Sequence, residues 1–61
     1  MEERDVILEV VKFVSKLDTD LQTKTFSAIN MLKRKYNMEI SYATLRKRIK
    51  QYEDECRKSN K

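Results

Sequence analysis

Two stretches near opposite ends of the chain carry apolar residues at the same offsets. Val6, Val10, Phe13 and Leu17 stand at i, i+4, i+7 and i+11, and so do Leu45, Ile49, Tyr52 and Cys56. At about 100° per residue these offsets gather within roughly 40° on an α-helix, and they do not match the two-residue period of a strand. The chain contains no glycine and no proline, so tight hairpins, which draw on Asn-Gly or Gly-X turns, have nothing to build on. The spacing predicts an all-α protein. Its 61 residues permit one domain, a compact three-helix bundle that buries only about 60% of its unfolded surface.

The first helix is predicted from about Glu3 to Leu17. Ile7 and Val14 widen its stripe, the early acids Glu2, Glu3 and Asp5 and the later Lys12 and Lys16 match the sign of the helix dipole. Leu8 and Val11 fall roughly 140° to 200° from Val6 and are expected to face water in a lone monomer. They are either ordinary exposed apolar surface or the contact face of a homodimer. The polar string Asp18–Lys24 breaks the pattern. Thr19 and Gln22 have capping-box spacing, which starts the second helix near Asp20, whereas Thr23 or Thr25 would start it later. Leu21, Ala28, Ile29, Leu32 and Tyr36 then line one face, with Phe26 and Met31 near its edges. Lys33, Arg34 and Lys35 close the helix where cations are favoured, and Asn37 is the expected stop, since it tolerates the left-handed conformation. Ile40, the Ser41 cap and Leu45 have the spacing of a hydrophobic staple at the start of a third helix over about 42–57.

The third helix carries the main functional signal. Ser41 to Tyr52 holds four positive charges and no negative one. Opposite the Leu45 stripe lie Ala43, Lys47, Lys50, Gln51 and Asp54, with Arg46 and Arg48 on the flanks. Residues 1–31 hold four Lys/Arg against six Asp/Glu, a net −2, and residues 32–61 hold ten against four, a net +6. Such a one-sided field attracts polyanions. A helix with one face buried and the other cationic, with Gln beside Lys, suits a nucleic-acid groove.

Residues 28–52, A-I-N-M-L-K-R-K-Y-N-M-E-I-S-Y-A-T-L-R-K-R-I-K-Q-Y, resemble the helix-turn-helix of homeodomain-like three-helix DNA-binding domains, with residues 3–17 as the supporting helix. The resemblance implies a last helix in the major groove of double-stranded DNA and a preceding helix across the phosphates. By position, Ala43, Lys47, Lys50 and Gln51 would face bases, and Thr44, Arg46 and Arg48 would flank them near phosphates. Lys33, Arg34 and Lys35 would neutralise further phosphates. Tyr42 either reaches a phosphate or packs on Arg46, and Thr44 has a similar pair of roles. The implied role is that of a small transcriptional regulator or DNA-binding accessory factor.

The residue inventory narrows the other classes. With no histidine and one cysteine, zinc ligand sets and an internal disulfide are not expected, and no cofactor is implied. Cys56 reads as a small apolar residue late in the last helix. Glu53 and Glu55 read as solvated helix surface and not as a catalytic pair, so neither an enzyme nor a small-molecule substrate is expected. No stretch approaches a membrane span, and the acidic start is unlike a secretory signal, so an intracellular protein of the cytoplasm, nucleoid or nucleus is expected. Phe13, Phe26, Tyr36 and Tyr52 are expected on or beside apolar faces, leaving only Tyr42 free for the base stacking that single-stranded RNA recognition needs. The competing class is a protein-binding helical module, an adaptor or inhibitor whose basic face only solubilises it. It draws on Leu8, Val11 and the mixed charges of E-D-E-C-R-K.

Overall fold

A computed structural model of the chain describes residues 2–59 and consists of three helices, α1 (Glu3–Ser15), α2 (Leu21–Tyr36) and α3 (Tyr42–Ser59). Each packs on the other two, and no strand occurs among the described residues. The protein is an all-α three-helix bundle around one core of Val6, Ile7, Val10, Val11, Val14, Ala28, Leu32, Leu45 and Ile49.

The helix ends follow from local chemistry. The N–H groups of Asp5 and Val6 donate to the Glu2 carbonyl to start α1, and Leu17 N–H returns to the Val14 carbonyl at its end. Asp20 starts α2, its carboxylate accepting from Thr23 N–H at 2.9 Å, so the capping box is not used and Thr23 and Thr25 lie inside the helix. Thr25 is fully buried, and its hydroxyl donates to the Leu21 carbonyl at 2.7 Å. This back-bond satisfies a polar group that would be costly in the core. Asn37 ends α2 in the left-handed conformation (φ 52°, ψ 40°). Its N–H donates to the Lys33 carbonyl, and Met38 N–H reaches back to Leu32.

The link from Met38 to Ser41 is not helical. Met38 and Ile40 pack against the core while Glu39 and Ser41 are exposed, the two-residue alternation of an extended segment lying on an apolar surface. Thr44 N–H then donates to Ser41 Oγ at 3.3 Å, and that hydroxyl donates to Thr44 Oγ1 at 2.8 Å. Leu45, the first buried residue after this cap, shares the core that Ile40 packs against.

Four expectations are corrected. Val11 is only 2% exposed. Because α1 touches both α2 and α3, its buried arc runs from Val6 through Val10, Val14 and Ile7 to Val11, about 140° wide, and is centred well to one side of the Val6 stripe. The same rotation turns Phe13 outward, at 54% exposed. Tyr36, in the last turn of α2, is also exposed. Cys56 is exposed, as are all the residues from Asp54 to Lys58 in the last turns of α3.

Candidate nucleic-acid interface

Leu45 and Ile49, one turn apart, are completely buried, and they fix the rotation of α3 about its axis. Everything opposite them is exposed: Ala43, Thr44, Arg46, Lys47, Arg48, Lys50 and Gln51. Among the described residues, none of the four cations in this run is held in an ion pair. Their charge is therefore available to an outside partner. Asp54 continues the line of Lys47 and Lys50 at seven and four residues on. The cationic face of α3 therefore extends over its first two and a half turns and is interrupted by Asp54.

The flanks of this face differ. Arg48 and Gln51 lean toward α1, where they line a groove with Arg4, Ile7, Leu8, Val11, Tyr52 and Glu55. Arg4, from the otherwise acidic start of α1, thus joins the cationic side of the molecule, which periodicity within one helix could not reveal. Cys56, one turn beyond Tyr52, raises the Tyr52 phenol above its ordinary 10.0 through a hydrogen bond, with desolvation adding to the shift. Tyr52 is uncharged at neutral pH and acts as floor. On the other side Glu53 is not solvated surface: its carboxylate accepts from Lys24 Nζ of α2 at 2.6 Å, both side chains being largely buried.

At the start of α3, Tyr42 is half-buried and its ring packs in a tilted pair with Phe26 of α2, with centroids 5.0 Å apart and planes at 47°. Tyr42 is therefore not the free aromatic; Phe13, Phe26 and Tyr36 are the exposed ones. They sit on α1, the second turn of α2 and its last turn, and the ten residues between Phe26 and Tyr36 span about 15 Å. Such separated rings offer no continuous track for stacked bases. Thr44 is exposed, with its hydroxyl occupied by the Ser41 cap.

Lys33, Arg34 and Lys35 are all exposed but point about 100° apart around the end of α2. Lys33 stands seven residues after Phe26 and so falls on the α2 edge that meets the start of α3. Arg34 and Lys35 turn progressively away, so the three do not form one patch with α3.

In comparisons with known proteins, no family model, no curated protein and no solved structure matches this chain. The helix-turn-helix likeness thus rests on the chain's own helices and charges.

Proposed function

We propose that the protein binds double-stranded DNA through α3, by occupancy and positioning alone, as a small transcriptional regulator or accessory factor. The observation that carries this reading is the run Arg46, Lys47, Arg48, Lys50, all exposed and without an ion pair among the described residues, on a helix pinned from behind by Leu45 and Ile49. A pinned cationic helix meets a groove with little ordering cost. Arg46 and Arg48 on the two flanks meet the phosphate walls, and Lys47, Lys50 and Gln51 meet base edges. Ala43 leaves room for close approach, while Lys33 adds a phosphate contact from α2.

A homodimer through the Leu8 and Val11 face of α1 has less support, since Val11 is in the core, and Phe13, the other exposed apolar residue of α1, points about 140° away from Leu8. Stable interfaces bury about 1,200–2,000 Å² in total, far more than one half-exposed leucine provides, so the proposed binding unit is the single chain. No helix among the described residues is long and apolar enough to cross a membrane.

The test is fluorescence anisotropy with a random-sequence duplex across a salt series. Phosphate-driven binding weakens steeply and log-linearly as salt rises. Retention that ignores salt, or no retention at low salt, removes the proposal.

A further inference from the structure

The groove between α1 and α3 shares Arg48 and Gln51 with the α3 face, but Arg4 and Leu8 of α1 give it a chemistry of its own. Its floor is apolar, made by Ile7, Leu8, Val11 and Tyr52, and Arg4 and Arg48 stand over it from the two helices. Leu8 is 45% exposed although it belongs to this floor. Glu55 is the one carboxylate in the lining against two guanidiniums, so the lining keeps a net positive charge. The acids Asp5 and Glu9 of α1 point roughly 100° or more away from the Arg4–Val11 edge. The net demand of the groove is therefore for apolar surface flanked by negative charge.

We propose that this groove docks an acidic amphipathic helix of a partner protein, whose leucine-sized side chain covers Leu8 and whose carboxylates pair with Arg4 and Arg48. Two features favour this occupant. The volume, about 260 Å³, lies below the ~300–1,000 Å³ of small-molecule sites and suits a side-chain anchor. A phosphate backbone would satisfy the guanidiniums but has nothing apolar to place over Leu8, Ile7 and Tyr52. A helix laid between two helices is a recurrent mode of recognition, in which anchors one turn apart enter the groove, and guanidinium–carboxylate pairs at its rim add directional hydrogen bonds. The proposal shares Arg48 with the DNA reading and rests otherwise on Leu8 and Arg4, which that reading does not use.

The experiment is a methyl and backbone NMR titration of the full chain with a synthetic amphipathic peptide carrying two leucines four residues apart, flanked by glutamates. Shifts are expected at the Ile7, Leu8 and Val11 methyls. Leu8→Glu should weaken binding by about tenfold or more, the effect of losing an anchor, and Arg4→Glu should weaken it several-fold without touching the core. The same peptide with lysines for glutamates should not bind. Several results overturn the proposal: equal binding of the lysine peptide, indifference to Leu8→Glu in a variant shown by circular dichroism to be folded, or duplex DNA shifting the same methyls. So does a two-chain mass by light scattering that Leu8→Glu returns to one chain, because the groove is then filled by a second copy.

Discussion

The Lys24 ammonium lies 2.6 Å from the Glu53 carboxylate, tying the first turns of α2 to the far half of α3. The side chains are 13% and 28% exposed, so the pair is screened less than a surface ion pair but is not sealed from water. It sets how far along α3 the bundle extends its hold. Lys24→Met and Glu53→Gln are each expected to lower stability by about 1 kcal/mol. The double variant should lose less than the sum, the sign of direct coupling in a double-mutant cycle measured by denaturant unfolding. Additive losses would mean that the two residues act separately.

The buried arc of α1 makes an unequal pair of its two off-stripe residues. Val11→Ala should destabilise by about 1 to 2 kcal/mol, as core truncations do, whereas Leu8→Ala should stay within about 0.5 kcal/mol. In α3, Leu45→Ala and Ile49→Ala should each cost about 2 to 5 kcal/mol. Equal effects of the Val11 and Leu8 changes on the urea midpoint would contradict the observed rotation of α1.

Asp20 makes stability depend on acid. The Thr23 side chain, and then its backbone N–H, hold the Asp20 carboxyl below its ordinary 3.8. A group whose folded pKa is depressed stabilises the fold above its unfolded value, and that stability is lost as pH falls through the folded pKa. The cap therefore acts in full above about pH 5 and fades below the ordinary 3.8. Melting temperature recorded against pH should fall less steeply in acid for Asp20→Ala than for the parent chain. Parallel curves would show that the carboxylate does not cap α2.

Much of this architecture is legible in the residues themselves. The stripe Leu45, Ile49, Tyr52 gives the buried side of α3, and the Asn37 stop and the Ser41 cap bracket the link correctly. What single-helix periodicity misses is where two neighbours meet one helix. A wheel centred on Val6 cannot show that α1 touches both α2 and α3, and this contact buries Val11 and turns Phe13 out. Pairing across elements is equally invisible. The tilted Phe26–Tyr42 pair and the Lys24–Glu53 bridge join residues 16 and 29 positions apart in the chain. The exposed face of α3 was readable because one helix carries all of it, whereas the groove at Arg4 and Leu8 needed the docking of α1 on α3.

The most direct measurement of the DNA reading compares salt slopes. Affinity for a random duplex is measured across a salt series for the parent chain and for Arg46→Ala, Arg48→Ala and Lys47→Ala, all at exposed positions that leave Leu45 and Ile49 in place. The slope of log affinity against log salt should fall by about 0.9 for each phosphate contact removed in the two arginine variants. Lys47→Ala should cost about 1 to 3 kcal/mol on a selected preferred site and less on random sequence. If all three variants hold duplex DNA with the parent's affinity and slope, the cationic face of α3 is only solvated surface and the account of its function is wrong.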